Sequence, residues 1–219
     1  MALALLRSPR VAAIYSWLQG SRIRESGSGH VVERHNSVLR KTIIEITGKN
    51  CRLTIGPGAR LWGCFISLVG DNTELTIGAN CRISEARLCV EDSGSQLRIG
   101  DQTTMTGATL ISQEGRLLQL GRDCMIAPKT DVRNSDSHAI FDGSRGPHLN
   151  QANNVIIGAH VWIGVGAIVF KGSRIGTGSM VGAGSHVRGE LPEYCMAYGM
   201  PAVVRREGIR WKRERPPSS

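Results

Sequence analysis

The chain has 219 residues, which is enough for one sizeable domain. Only 5% of them are aromatic and 27 are glycine, a composition that favours a narrow, repetitive β structure over a large α/β sheet. The net charge of +9 is concentrated in residues 1–41 and 205–219, and no recognition motif with interleaved aromatics accompanies it, which disfavours nucleic acid as a partner.

The first 41 residues form the most basic part of the chain. Residues 3–6 and 11–18 are apolar, but Arg7, Pro9 and Arg10 separate these runs, and each is too short to span a membrane. We interpret residues 1–24 as a short docking helix, with weak contact to a membrane surface as the alternative.

A repeated pattern begins near residue 42. The segments "TIGPGA", "TIGANC", "RIGDQT" and "QLGRDC" place aliphatic residues 22, 22 and 21 positions apart, at Ile55, Ile77, Ile99 and Leu120. Cys81 and Cys124 occupy the small-residue slot of this repeat, so we interpret them as structural. All six cysteines lack a CxxC partner, which favours free thiols in the cytoplasm.

From Leu120 the spacing becomes six residues and passes through Ile126 and Val132 to His138, which therefore stands where an inward aliphatic is expected. The period then stops until Ile157. The intervening residues are rich in Gly, Pro, Asn and Asp, so residues 139–154 are predicted to form a protruding loop.

The clearest repeat follows the loop. Aliphatic residues recur every six positions, and the position four after each is small or β-branched. The aliphatic series is Ile157, Ile163, Val169, Ile175, Val181 and Val187, and the small series is Val161, Ala167, Ser173, Ser179 and Ser185. This period fits neither a helix nor an alternating strand, but it fits a triangular coil of three short sides.

The predicted architecture is therefore an all-β parallel β-helix of hexapeptide repeats. We expect it to occupy residues 42–190, preceded by the basic helical segment 1–41 and followed by a strand and basic tail over residues 191–219. The flat outer faces of such a solenoid favour self-association.

The segments "NNVIIGAHVWIGVGAIVFKGSRIGTGSMVGAGSHV" and "AYGMPAVVRREGIRW" resemble the hexapeptide-repeat acyltransferases. Within these, "RNSDSHAIFD" followed by "HVWIG" resembles the bacterial polysaccharide O-acetyltransferases, above all those that modify polysialic acid capsules. The resemblance implies a left-handed coil, a homotrimer with sites between subunits, and acetyl transfer from acetyl-CoA to a carbohydrate hydroxyl. Spacing alone does not indicate the hand, since most parallel β connections are right-handed.

The resemblance also implies roles for individual residues. His138 is the candidate general base, and Trp162 is the second catalytic candidate, either positioning the acceptor or donating its indole N–H to the reacting oxygen. Asp136 is a candidate to orient His138. The positions expected to line acetyl-CoA are Val165, Lys171, Gly182, Ala183, Val187, Arg188 and Arg206. Val203 stands where the family often has a second basic residue.

Three other functions compete with this prediction. The acceptor could be a small molecule such as serine, an antibiotic or an amino sugar. The coil could be a non-catalytic scaffold, against which the His138 and Trp162 pair argues. A metal hydratase of the γ-carbonic anhydrase kind needs three converging histidines, whereas the close pair here, His30 and His35, precedes the repeats, so no metal is expected.

Overall fold

The computed structural model describes residues 16 and 18–215 and shows a parallel β-solenoid. The chain passes through three sheets in turn, and each coil contributes one strand to each sheet. Eight coils build sheets of eight, eight and nine strands. We call them sheets A, B and C, in the order in which the chain first enters them.

The first four coils contain the longer strands. They are β1 (Arg22–Ser28), β2 (Val31–Arg34), β3 (Val38–Arg40), β4 (Ile43–Lys49), β5 (Arg52–Ile55), β6 (Arg60–Trp62), β7 (Phe65–Val69), β8 (Glu74–Ile77), β9 (Arg82–Ser84), β10 (Arg87–Glu91), β11 (Gln96–Ile99) and β12 (Thr104–Thr106). β1 is the first strand of sheet A, β2 of sheet B and β3 of sheet C.

The last four coils have shorter strands, and a final strand turns back. They are β13 (Thr109–Ser112), β14 (Leu117–Leu120), β15 (Met125–Ile126), β16 (Asp131–Arg133), β17 (Val155–Ile157), β18 (Trp162–Ile163), β19 (Ile168–Val169), β20 (Arg174–Ile175), β21 (Met180–Val181), β22 (His186–Val187), β23 (Glu190–Leu191), β24 (Met196–Gly199) and β25 (Ala202–Arg206). β25 pairs antiparallel with β24 at the edge of sheet C.

The predicted six-residue period is confirmed by the core. In the late coils Ile157 lies beside Ile175 and Val169 beside Val187, one coil of eighteen residues later. All six aliphatics of the late series are at most 2% exposed. Each inward side chain therefore packs on its counterpart in the next coil, and this stack is the hydrophobic core.

The small-residue slots are also buried, as predicted. Ser173 and Ser179 are fully buried, and their hydroxyls donate to the carbonyl oxygens of Val187 and Pro192 at 3.1 and 2.7 Å. Cys81 and Cys124 fill the same slot, and burial raises the pKa of each thiol to about 11. These cysteines are structural.

The early coils are longer at one corner. β4 pairs with β7 so that Ile44 lies beside Ile66 and Ile46 beside Leu68, which gives each long strand of sheet A two inward side chains. The late strand β19 has one inward residue, Val169. The extra residues of the early coils therefore lie between sheets A and B.

The coil extends beyond both expected limits. Residues 22–40 form its first turn rather than preceding it, because β1 and β2 pair in parallel with β4 and β5. At the other end, β23 and β24 continue the sheets as far as Gly199. The expected docking helix falls mostly on residues 1–15 and 17, which lie outside the described part of the chain. Among the described residues, no helix has the length and apolar character needed to cross a membrane.

Candidate functional site

A loop of residues 134–154 leaves the solenoid between β16 and β17, at the corner joining sheets A and B. The loop begins at residue 134, five residues before the start at residue 139 that the six-residue period predicted. Phe141 and His148 form an isolated antiparallel bridge, and the Leu149 N–H donates to the carbonyl oxygen of Ile140 at 2.8 Å. The loop is therefore a small hairpin standing on the rigid coil.

The base of the loop is held by buried polar contacts. Asn134 is fully buried; its Oδ1 accepts from the Gln113 N–H at 2.8 Å and its Nδ2 donates to the Ser112 hydroxyl at 3.0 Å. The Ser135 hydroxyl donates to the Glu114 carboxylate. A chain that leaves a β ladder loses its backbone partners, and these side chains replace them.

Asn150 joins the two ends of the loop. Its Nδ2 donates to the carbonyl oxygen of His138 at 2.8 Å and to Asp136 Oδ2 at 2.9 Å, while its Oδ1 accepts from the Ile140 N–H at 2.6 Å. Asp136 thus acts on the backbone of His138 through Asn150 and has no contact with the imidazole. The sequence analysis missed Asn150, although an Asn in an irregular segment is a typical organiser of turns.

Lys171 ties this loop to the late coils. Its Nζ lies 2.5 Å from Asp136 Oδ2 and 2.5 Å from the carbonyl oxygen of Asn150. The hydrogen bonds from Lys171 and Asn150 hold the pKa of Asp136 below its ordinary value. Lys171 was expected to line the cofactor, and its contacts in this chain are with the loop.

His138 lies on the loop, and its side chain is exposed. The expectation that it fills an inward slot six residues after Val132 is wrong. The chain leaves sheet A after Arg133, and the next inward positions belong to Val155 and Ile157 of β17, which are fully buried. The imidazole has no hydrogen bond or ring contact with a described residue, so both ring nitrogens are accessible.

Trp162 lies on the outer face of sheet C, in register with Met125 on one side and Met180 on the other. It is half-buried, and its ring centroid is 6.0 Å from that of Trp211. The Trp162 indole N–H makes no hydrogen bond to a described residue. This side chain therefore presents a free donor beside a second indole.

Trp211 belongs to a segment that runs back along sheet C, which we call the C-terminal strap (residues 207–215). Its indole stacks on the His160 ring at 4.0 Å with an interplanar angle of 5°. The Trp211 Nε1–H donates to the carbonyl oxygen of His160 at 3.0 Å. His160 is half-buried because the strap covers it.

Asp123 anchors both His160 and the end of the strap. Its carboxylate lies 2.7 Å from His160 Nδ1 and accepts from Arg213 Nε at 2.8 Å. Burial alone raises the pKa of Asp123, but the hydrogen bonds and charges of His160 and Arg213 outweigh it and lower the pKa below the ordinary value. Arg213 also donates to the Thr104 hydroxyl at 2.7 Å. This cluster was not predicted from the sequence. The one sequence feature that pointed to it is Trp211, an apolar residue within a basic C-terminal segment.

Three of the expected cofactor positions lie at the corner joining sheets C and A. Val165 is 49% exposed, and its carbonyl oxygen accepts from the Gly184 N–H at 2.8 Å. Ala183 is exposed one coil later. A Cβ on Gly182 would lie 2.6 Å from the Cβ of Tyr198, so only glycine fits there. This corner is apolar and open.

The other expected cofactor positions lie elsewhere. Val187 is fully buried in the core, so only its backbone can contact a ligand. Arg188, at the corner of sheets A and B, stacks its guanidinium 4.1 Å from the centroid of the Phe170 ring. Arg206 is exposed at the end of β25. The predicted set is therefore dispersed: three residues lie at the C–A corner, Lys171 and Arg188 at the A–B corner, Val187 in the core and Arg206 on the edge strand of sheet C.

The candidate catalytic pair is also divided within one chain. His138 stands at the corner of sheets A and B, whereas Trp162 lies on sheet C, and they make no hydrogen bond or ring contact with each other. Within residues 16 and 18–215, no group of three or more His, Cys, Asp or Glu side chains is placed to hold a metal ion.

No protein-family model matches the sequence. The polysialic acid O-acetyltransferase of Escherichia coli O1:K1 / APEC is 43% identical over 94 residues, which are 43% of this chain and 31% of that protein. The polysialic acid O-acetyltransferase of Neisseria meningitidis is 39% identical over 72 residues, which are 32% of this chain and 33% of that protein. These matches span about a third of either relative's length.

Two solved structures cover most of the chain. The polySia specific acetyltransferase NeuO superimposes with a TM-score of 0.78 and 29% identity over 89% of this chain and 83% of that one. The polysialic acid O-acetyltransferase OatWY superimposes with a TM-score of 0.71 and 26% identity over 91% and 94%. The chain is therefore similar in sequence and in fold to the polysialic acid O-acetyltransferases. It shares the left-handed β-helix of these hexapeptide-repeat enzymes, which confirms the predicted fold and its hand.

Proposed function

We propose that this protein transfers the acetyl group of acetyl-CoA to hydroxyl groups of an acidic capsular polysaccharide. The superposition with NeuO over 89% of the chain carries the proposal. Two of the relatives are named polysialic acid O-acetyltransferases, which supports a polyanionic acceptor. Free, buried cysteines and an acetyl-CoA donor favour a cytoplasmic site of reaction.

In this proposal His138 is the general base. Its imidazole has no partner among residues 16 and 18–215, so a ring nitrogen is free to take the proton of the attacking sugar hydroxyl. The hydrogen bond from Asn150 to the His138 carbonyl oxygen fixes the backbone of His138 and so restricts the positions that its imidazole can reach. A positioned base of this kind contributes about 10²–10⁴-fold to the rate.

Trp162 is the second catalytic residue of the proposal. Acyl transfer from a thioester develops negative charge on the carbonyl oxygen, and a fixed N–H donor stabilises that charge. The Trp162 indole N–H is unpaired within the described chain, and Trp211 packs 6.0 Å away, which limits its orientations. The same ring offers the acceptor sugar an apolar face.

Acetyl-CoA supplies the activated acetyl group, and the open C–A corner fits its pantetheine arm. Exposed Val165 and Ala183 give apolar contact there, and Gly182 lets Tyr198 pack closely against this corner. Arg188 and Arg206 are exposed cations suited to phosphate oxygens. Lys171 is the weaker phosphate candidate because its ammonium already bonds to Asp136.

We further propose that the working enzyme is a homotrimer. His138 and Trp162 lie on different sides of a single coil, and the expected cofactor positions are spread over the C–A corner, the A–B corner and the edge of sheet C. A triangular prism that associates with copies of itself can place the loop of one subunit against the open corner of the next. Complete sites would then lie between subunits.

The test is incubation of the purified protein with acetyl-CoA and long-chain polysialic acid, followed by mass spectrometry of the polymer. We expect acetyl esters on sugar hydroxyls and release of stoichiometric free CoA. Acetylation of free serine or of an amino sugar, with none on an acidic glycan, would overturn the proposed acceptor. Release of no CoA with any acceptor would overturn the enzyme assignment.

A further inference from the structure

A groove of about 840 Å³ lies on the outer face of sheet C in the first four coils, far from the expected cofactor corner. Arg40, Arg60 and Arg82 line it together with Trp62, which is 49% exposed. We call these four residues and the space between them the arginine groove. Among the described residues, no aspartate or glutamate lines it.

The three guanidinium groups are unpaired. Arg40, Arg60 and Arg82 are exposed, and none makes an ion pair or side-chain hydrogen bond within residues 16 and 18–215. Arg98 and Arg24 differ, since Arg98 lies 3.8 Å from Glu74 and Arg24 lies 3.0 Å from Glu45. Unneutralised positive charges held close together on a rigid sheet attract a polyanion.

Strand pairing aligns this groove with the candidate catalytic tryptophan. Arg60, Arg82, Thr104, Met125 and Trp162 occupy successive positions of one outward row on sheet C. Neighbouring strands lie about 4.8 Å apart, so Arg82 stands roughly 14 Å and Arg60 roughly 19 Å along the coil axis from Trp162. A linear glycan following this row would reach both.

The C-terminal strap continues the positive surface between the two places. Arg213 donates to the Thr104 hydroxyl at 2.7 Å. Because Thr104 lines the arginine groove, the end of the strap lies at the edge of the groove nearest the late coils. Lys212 and Arg210 are exposed on the same strap. The Arg213 charge is balanced by Asp123, so Lys212 and Arg210 are the exposed cations that the strap adds between the groove and Trp162.

We propose that the arginine groove is a second binding subsite for the acidic polysaccharide, which holds the polymer while a distant sugar unit is acetylated. The guanidinium groups would bind sugar carboxylates, and the Trp62 ring would pack on the apolar face of a pyranose. This inference rests on the proposed function for its ligand. It adds the consequence that long acceptors are preferred over short ones.

The first experiment measures binding without acetyl-CoA, so that it is independent of catalysis. Calorimetric titration of long-chain polysialic acid into the full chain should give saturable binding that weakens with salt, and neutral dextran should give none. The Arg60→Gln/Arg82→Gln variant should bind the polymer about tenfold more weakly. Arg52→Gln, an exposed arginine on sheet B without an ion pair, is the matched control and should bind as wild type.

The second experiment measures kinetics. In the Arg60→Gln/Arg82→Gln variant, KM for the long polymer should rise about tenfold with little change in kcat, so that the preference for long over short sialic acid oligomers falls. Trp62→Ala should act in the same direction.

Equal polymer binding by wild type and the double variant would overturn the subsite, as would an equal loss in Arg52→Gln. A changed oligomeric state in the double variant, measured by light scattering, would assign the groove to a second copy of the chain and also overturn it. Polymer binding that is lost in the double variant, without acetyl transfer to the polymer by wild type, would support the subsite and reject the proposed function.

Discussion

The side-chain amide of Asn150 donates to the carbonyl oxygen of His138 at 2.8 Å, across twelve residues of sequence. The candidate base is thereby held through its backbone, while its imidazole has no partner in the described part of the chain. Asn150 is in turn fixed by Asp136 and, through its own carbonyl oxygen, by Lys171. The late coils thus set the position of a residue that lies outside the solenoid.

Removing the base should stop transfer without disturbing the fold. We expect His138→Ala to lower kcat by about 10²–10⁴-fold, because proton removal from the acceptor is lost. The thermal unfolding midpoint and the oligomeric state should match wild type, since the side chain is exposed. His35→Ala, another exposed histidine, is the control. Unchanged turnover in His138→Ala would reject the base assignment.

Loss of the Asn150 amide should misplace the base. We expect Asn150→Ala to lower kcat by about 10²-fold, because a small displacement of a catalytic group is costly. The solenoid core is untouched, so the unfolding midpoint should change little. Gln151→Ala, at an exposed neighbouring position, should retain wild-type kcat. Equal kcat in both variants would show that the loop does not depend on Asn150.

The Asp136–Lys171 contact should be visible by titration. The partners of Asp136 lower its pKa from the ordinary 3.8. The carboxylate is therefore fully ionised, and the ion pair fully formed, at every pH well above 3.8, including neutral pH. Stabilisation of the loop by this pair is then lost as the pH falls through the lowered pKa. Carbon-13 NMR of the Asp136 carboxyl should give a midpoint below 3.8 in wild type and a higher one in Lys171→Gln. Identical midpoints would contradict the contact.

Truncation of Trp211 should release the C-terminal strap. The residue is 9% exposed and stacks on His160, and truncating a buried tryptophan costs about 3–5 kcal/mol where the site cannot collapse. We expect Trp211→Ala to speed tryptic cleavage after Arg210 and Arg213, with little change in unfolding of the coil. Lys212→Ala, at an exposed position, tests whether the effect belongs to the indole. Cleavage at the wild-type rate in Trp211→Ala would show that other contacts hold the strap.

The slot cysteines should be inert in the folded protein. Burial raises the pKa of Cys81 and Cys124 to about 11, so at pH 8 only about 10⁻³ of either thiol is ionised. Iodoacetamide should leave both unmodified in the native state and alkylate both in guanidinium chloride, as peptide mass spectrometry can show. Rapid native alkylation of either thiol would mean that the coil opens locally.

The regular coil was predictable because its cause is local. Each short side of the coil needs one inward aliphatic residue and one small residue at the corner, and this requirement recurs every six residues. The spacing of Ile157, Ile163 and Val169 therefore predicts the late coils by itself. The irregular segment after Val132 has no such period. Extending the period to His138 therefore placed the imidazole inward, whereas the chain had already left the coil at Arg133.

The sequence by itself determined the three-sided coil, the inward stack and the structural role of the slot cysteines, since each follows from residues close together in the chain. Only the tertiary structure decided which distant residues meet. Stacking brings Asp123 to Arg213 and His160 to Trp211, and it aligns Arg60 and Arg82 in one row with Trp162. No local pattern encodes these contacts, because strand register and the return path of the strap set them only when the coils assemble.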